Sequence, residues 1–368
     1  MYKGTDISKD QLSDDGEPCI LYGELYTKYK SETIREVISK TNIDNTKLVK
    51  SKANDVIIPC SGETAEDIAT ARCVLNGNIL LGGDLNIIRL HGYDGAFMSY
   101  QLNGRRKYDI AKVAQGVSVV HLYGEHLKGV KTINPCLEEQ KKIAKLLSLL
   151  DERIATQNKI IEDLKKLKSA IIEEHYRQTE KNEVCVADLG NHFNVGNLAK
   201  DDLSETGKPC IIYGELFTTY GEIISQIESH TNKTEGMILS KKGDLLFPSS
   251  TTVDAISLIA PSVINVDNVI LGGDMFGIHI SHNYNAQYLS YYFNHIAKKQ
   301  LAKFAKGSTI IHLHYTDIEK AKLLLPSLEE QNRMAKCLVA LDKKVSVEQD
   351  LLSSLTCQKS YLLQQMFI

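Results

Sequence analysis

The sequence predicts an α+β chain made by duplication, with two mixed α/β heads separated by two long helices that form an antiparallel coiled coil. Residues 7–29, ISKDQLSDDGEPCILYGELYTKY, agree with residues 198–220, LAKDDLSETGKPCIIYGELFTTY, at 14 of 23 positions without a gap. The same offset of 191 returns at Gly116 and Gly307, His121 and His312, Leu137 and Leu328, and Asp151 and Asp342. From each LEEQ, at 137–140 and 328–331, apolar residues recur at alternating steps of four and three, which is the spacing of a heptad seam.

The chain therefore divides into a head at 1–136, a helix at 137–183, a head at 184–327 and a helix at 328–368. Within the heads, short apolar runs at 19–22, 56–58 and 86–88 are bounded by Gly, Pro, Asn and Asp and read as strands. Segments 97–114 and 286–305 read as helices. The second repeat opens with 184–190, VCVADLG, whereas Met1 aligns with His192, so the first head is expected to lack an edge strand. Pro326-Ser327-Leu328-Glu329-Glu330 predicts a capping box, with Ser327 accepting from the Glu330 backbone and Glu330 reaching back. Cys136 stands in the serine's place in the first copy, a cap weaker by ~1 kcal/mol.

The first seam comprises Ile143, Leu147, Leu150, Ile154, Ile161, Leu164 and Ile171, and the second Met334, Leu338, Leu341, Val345, Leu352, Leu355 and Leu362. Continuing the count places Gln157 and Lys168 in the first seam and Glu348 and Lys359 in the second, again 191 apart. These polar positions either fix register or snorkel to solvent while Leu167 or Leu363 fills the gap.

Composition excludes several function classes. A net charge of -3 and a pI near 6.4 give no overall basic field, so any DNA contact must come from local patches. The eight cysteines show no CxxC pair and no Cys/His metal spacing, and no signal peptide opens the chain, which reads as a reduced, cytoplasmic protein. No apolar run approaches the roughly 20 residues needed to cross a bilayer. His121, His312 and His314 lie in strand-like runs without a second ligand cluster and read as structural, so no metal site is expected. There is no Walker A loop, no G-x-G-x-x-G and no matched acid–base pair, and Asn134-Pro135-Cys136-Leu137 lacks the second proline and the aromatic of an amino-methyltransferase motif. No catalytic residue and no cofactor is assigned to the chain.

The order head, LEEQ helix, head, LEEQ helix, with PxLEEQxxxAxxLxxLDxxV at 326–345 and its counterpart at 135–154, resembles the specificity subunit of type I restriction-modification systems. The resemblance spans essentially the whole chain. It implies that the heads are target recognition domains, each reading one half of a bipartite, asymmetric site in double-stranded DNA. The helices would set the spacer and dock two methyltransferase subunits, which recruit restriction subunits. S-adenosylmethionine, ATP and Mg are then expected on those partners. The YGELYT motif at 22–27, with Phe217 for the second tyrosine at 213–218, is similar to a recurring type of recognition domain.

Candidate DNA contacts are polar and basic groups at matched places. Lys107 and Lys112 correspond to Lys298 and Lys303 and lead into Gly-containing loops, the second of which carries Lys306. They read as phosphate contacts or as a solvated helix face. Arg105 and Arg106 occur in the first head alone, where an arginine can read guanine. Ser61, Glu63 and Thr64, and Ser249, Ser250 and Thr251, lie in loops that diverge between repeats, as different half-sites require, or serve as turns. Tyr22, Glu24, Tyr213 and Glu215 in the YGELYT motifs either face DNA or belong to the core with the glutamates paired internally. A helix of about 40 residues spans roughly 60 Å, and duplex DNA repeats every ~34–36 Å, so two readers on such a spacer suit a split target. Heads this similar, related by a twofold, imply partly palindromic half-sites. The rival readings are a coiled-coil adaptor whose heads bind protein, and an enzyme with an unseen pocket.

Overall fold

The computed structural model describes residues 1–5, 7–44 and 46–367. It divides into two compact units, residues 1–160 with 348–368, and residues 161–347. Each unit thus holds one head, part of the helix that follows it in sequence, and part of the other long helix.

In the first unit, Asp55–Pro59 is the middle strand of five, in the order Tyr2–Lys3, Leu85–Ile88, Asp55–Pro59, Arg72–Val74, Thr33–Ile34. Val56, Ile57 and Ile58 are all buried, which is why this strand is a continuous apolar run rather than an alternating one. A second sheet, Leu12–Ser13, Ser39–Thr41, Glu17–Ile20 and Leu80–Leu81, contains a parallel pairing of Cys19 with Leu80. The second unit repeats both sheets around Asp244–Pro248 and Lys208–Ile212, adding Ile238–Leu239 to the latter. The helix expected over 97–114 is two, Gly95–Asn103 and Lys107–Lys112, interrupted at Gly104. Its counterpart runs from Ala286–Tyr292 through a π-helical turn, Phe293–Ala297, into Lys298–Leu301.

The missing edge strand is a correction. Tyr2–Lys3 occupies the sheet edge, with Tyr2 opposite Ile87, so the position is filled, though by two residues where the second head uses the five of Gly190–Asn194. Residues 184–189 are not that edge strand, which begins at Gly190. They belong to a separate strand, Asn182–Cys185, paired with Lys322–Leu325, and to the 3-10 turn Val186–Leu189. It is this layer that has no counterpart among the described residues of the first head.

The long helices run Leu137–Gln178 and Leu328–Gln365, and residues 179–183 form a turn and the start of a strand. Every named seam residue is buried or half-buried while most of its neighbours are exposed. Within the first unit the helix segments run antiparallel, with Leu147 in one cluster with Phe367 and Gln157 against Glu348. Within the second, Lys168 meets Asp342 and His175 meets Glu330. Gln157 and Glu348, 3% and 8% exposed, meet each other: the amide Nε2 donates to the Glu348 carbonyl at 3.0 Å and to its carboxylate. Snorkelling compensated by Leu167 is excluded, since Leu167 is 47% exposed. A register slip would separate a buried donor from both acceptors, which penalises misalignment.

Lys168 and Lys359 carry a second paired device. Lys359 Nζ lies 2.5 Å from Glu32 and 2.6 Å from Asp151, whose other oxygen accepts from the Tyr100 hydroxyl at 2.8 Å. In the second unit Lys168 lies 3.0 Å from Glu222 and 2.8 Å from Asp342, which accepts from Tyr291. Each head is therefore clamped to both helix segments of its own unit by a half-buried lysine. Burial acts to lower both ammonium groups, but the facing carboxylates outweigh it and hold them above the ordinary lysine value.

The LEEQ junctions do more than begin helices. Ser327 Oγ accepts from the Glu330 amide at 3.3 Å, but the Glu330 carboxylate turns instead to Arg333 at 2.5 Å and His175 at 3.1 Å, so the box is half formed. The buried glutamines lock helix to head. Gln140 Oε1 accepts from the Asp94 amide at 2.9 Å and Gln331 Oε1 from the Asn285 amide at 3.0 Å, and Asp94 and Asn285 are the N-caps of the head helices.

Candidate nucleic-acid interface

In each head a short hairpin closes beside a hydroxyl-bearing strand. Gln115 and His121 exchange backbone hydrogen bonds of 2.9 and 2.7 Å, and Lys306 and His312 do the same at 2.9 and 2.7 Å. The turns require glycine: Gly116 and Gly307 sit at φ 122° and 116°, and a Cβ there would lie 2.1 and 2.0 Å from the carbonyl oxygens of Val119 and Ile310. The tips project outward, Val117 being 97% exposed. Val120–His121 pairs with Ser61–Gly62, and Ile311–His312 with Ser250–Thr251. Residues some 60 apart in sequence are thereby brought edge to edge.

The YGELYT motif closes the other side. In the first head the Tyr26 hydroxyl lies against Gly62, where a Cβ would be 3.7 Å away. Burial, then Tyr22, Asp67 and Glu63, push this phenol above its ordinary value. In the second head a cleft of about 650 Å³ is lined by Tyr213, Thr251, Lys298, Ile310 and His312 among others. Tyr213, Thr251 and Lys298, far apart in sequence, are thus gathered at one site.

Several candidates are redirected. Glu24 and Glu215 are only 4% and 8% exposed. Glu24 accepts from the Leu21 amide at 3.0 Å, from Lys28 at 2.6 Å and from Ser39, and Glu215 accepts from the Ile212 amide at 2.9 Å and from Ser229. They pin the motif's turn and leave the DNA-facing set. Ser61 and Ser250 are buried and donate to Asp84 at 3.0 Å and Asp274 at 2.8 Å, and Ser249 is buried too. Thr64 caps the helix Ala65–Ile68, accepting from the Asp67 amide at 3.1 Å, while Glu63 is exposed. Thr251 accepts from the Val253 amide at 3.2 Å and stays half-exposed in the cleft.

The basic groups remain at the surface. Arg105 is exposed, and Arg106, half-buried, lies 3.4 Å from Asp109. Lys107 is half-buried, and Lys112 is exposed with its ammonium 4.3 Å from the Tyr108 ring centre. Lys303 is exposed on the short turn Ala302–Phe304. Lys306 reaches Asp317 at 2.5 Å, and this bond, ahead of the His314 amide, holds that carboxyl below its ordinary value.

The three histidines read from sequence as structural lie at the surface. His121, His312 and His314 are exposed. His312 stacks on His314 with ring centres 6.1 Å apart, and His192 stacks on Tyr315 at 4.2 Å. The period-two alternation in IIHLHY carries the signal, because it sends Leu313 into the core and both histidines to the opposite face. Among the described residues no group of His, Cys, Asp and Glu is placed to hold a metal ion, and no helix is long and apolar enough to cross a membrane.

Two mixed heads, each with a clustered polar and basic face and each clamped to a helix pair, define a duplicated recognition protein. The type I restriction modification DNA specificity domain matches twice, over residues 3–166 and 179–356, and the chain belongs to that family as a specificity subunit with two DNA specificity domains. It is 24% identical over 354 residues to the type I restriction enzyme MjaVIII specificity subunit of Methanocaldococcus jannaschii, covering 89% of this chain and 80% of that one. Its fold is similar to the type I restriction-modification S subunit from M. genitalium, with TM-score 0.64, 18% identity, and coverage of 100% of this chain and 93% of that one. A chain from a structure on complex assembly and conformational transition of the type I R-M system gives TM-score 0.57 at 15% identity, covering 98% and 93%. The adaptor reading, in which the heads bind only protein, is set aside.

Proposed function

We propose that each head reads one half of a bipartite, asymmetric DNA site, that the long helices set the unread spacer, and that the helices dock two methyltransferase subunits through which restriction subunits join. The observation that supports this best is the duplication of the hairpin and its neighbouring strand, with the tips differing as Gly116-Val117-Ser118-Val119 and Gly307-Ser308-Thr309-Ile310. A common frame with different tips suits two different half-sites. The basic residues beside the tips position the backbone, while Glu63, Thr251 and the histidines offer hydrogen-bonding groups to base edges. In this reading the subunit acts in the cytoplasm and catalyses nothing, and S-adenosylmethionine, ATP and Mg belong to its partners. Footprinting of the chain with its methyltransferase tests it. Two protected patches flanking an unprotected spacer are expected, and the absence of any footprint at low salt would overturn it.

A further inference from the structure

Each head places one carboxylate among the groups that face DNA. The sequence LGGD recurs at 81–84 and 271–274, and in both copies it turns the chain into the strand beside the middle one, Leu85–Ile88 and Met275–Ile280. The turn takes one left-handed residue, Gly273 at φ 88° in the second head and Asp84 itself at φ 54° in the first. The aspartate is exposed in both heads, yet it is held at two points. Its carbonyl accepts from the Cys60 amide at 2.6 Å in the first head and from the Ser249 amide at 2.7 Å in the second. One carboxylate oxygen accepts from the buried Ser61 hydroxyl at 3.0 Å, and in the second head from the buried Ser250 hydroxyl at 2.8 Å. Among the described residues nothing donates to the other oxygen.

The second head shows what surrounds this group. Asp274 lines the 650 Å³ cleft with Thr251 and Lys298, a cleft of about 520 Å³ with Lys306, His312 and His314, and one of about 320 Å³ with His192 and Tyr315. It therefore stands where the exposed polar and basic groups of the head converge. Lys306 is taken by Asp317 at 2.5 Å, and among the described residues no cation pairs with Asp274.

A carboxylate accepts hydrogen bonds and repels phosphate. Fixed in place on a face that must approach a polyanion, it is favourable only where the duplex brings it a donor. The base edges supply donors solely as amino groups. In the major groove cytosine shows its amino group with no acceptor beside it, adenine sets a ring-nitrogen acceptor next to its own, and guanine and thymine show carbonyl oxygens.

We infer that Asp274 and Asp84 are specificity residues, each accepting from the amino group of a cytosine in the half-site that its head reads. Ser250 and Ser61 hold the carboxylates in position for it. This rests on the heads being DNA readers, and it adds that the two half-sites, though different, share a C·G pair at the aspartate.

The test uses the chain assembled with its methyltransferase. Methylome sequencing of a host carrying the wild-type complex gives the site. Competition binding then compares duplexes in which each cytosine in turn is replaced by an analogue lacking the exocyclic amine. The wild-type complex should lose affinity at least about tenfold at one cytosine in each half-site, the worth of a hydrogen bond to a charged group. Asp274→Asn keeps an acceptor for Ser250. It should weaken binding to the natural site by a similar factor and be indifferent, within about twofold, to the analogue at one of those two cytosines, and Asp84→Asn should be so at the other. Losses that simply add at every cytosine, or that fall on all sequences alike, would overturn the inference while leaving the heads as DNA readers. So would a site with no cytosine in one of its halves, a result that needs no variant to fold. A wild-type complex that binds no defined sequence would overturn the underlying reading, and this inference with it.

Discussion

Replacing Lys359 by methionine removes the cation between Glu32 and Asp151 and keeps most of the aliphatic volume. All three side chains are largely buried, at 14%, 8% and 9% exposed. Removing one partner from a buried ion pair costs about 3–5 kcal/mol, because a charge is left without compensation. Arg72 lies close enough to couple to both acids, which places the expectation near the lower figure. A loss of ~3 kcal/mol is about a hundredfold, since each 1.4 kcal/mol is a factor of ten. Native-state hydrogen exchange can localise it. Amides of residues 55–58, in the middle strand of the first unit, should lose protection by that factor, while those of residues 244–247 stay unchanged. Neutralising one acid in the same chain, with Asp151→Asn, should recover most of the loss, because Glu32 then keeps Arg72 as its counter-charge. A loss below ~1 kcal/mol, the worth of a surface pair, or no recovery in the double variant, would refute the clamp.

Acid should weaken the units unequally. Burial raises Glu222, but its hydrogen bond from His295 and the charge of Lys168 outweigh that and bring it to about 2. A depressed carboxyl contributes stability above its unfolded value and loses it as pH falls through the folded one, so the second unit should lose on the order of 3 kcal/mol between pH ~4.5 and ~2. Glu32 is shifted upward by burial, so its contribution is complete at low pH and declines as pH rises through its folded value; exchange at Asp244–Pro248 and Asp55–Pro59 from pH 5 to pH 3 checks the contrast. Lys298→Ala should weaken DNA binding by the assembled complex for all sequences alike and reduce the slope of log K against log salt by about 1. Gly307→Ala, which forces a Cβ onto the Ile310 carbonyl, should lower affinity for one half-site in a binding assay while the far-ultraviolet circular dichroism stays unchanged.

Sequence revealed what is periodic or repeated, and little of what depends on which atoms meet. The seam from Ile143 to Ile171 was legible because a four-three spacing is local, and the polar steps at Gln157 and Glu348 stood out against it. That these two side chains bond each other depends on antiparallel register, which no local pattern states. The YGELYT glutamates read more readily as internally paired core than as readers, and the approach of Ser39 and Ser229 from other strands decides it. Gln140 and Gln331 passed as ordinary helix-start residues because their partners, the Asp94 and Asn285 amides, lie 46 residues away in the chain. The uneven acid chemistry of the clamps has a simpler origin, since His295 corresponds to Gly104, 191 residues earlier.

The pieces that were duplicated are not the pieces that fold together. Residues 348–368, which leave the ribosome after both heads, complete the unit that contains residues 1–160, whereas the unit formed by 161–347 draws on one uninterrupted stretch. The head made first is therefore the head finished last. Until the second helix has emerged, Glu32 and Asp151 wait without Lys359, and Leu147 waits without Phe367. A ribosome that stops before residue 348 would leave one finished reader and one unfinished one.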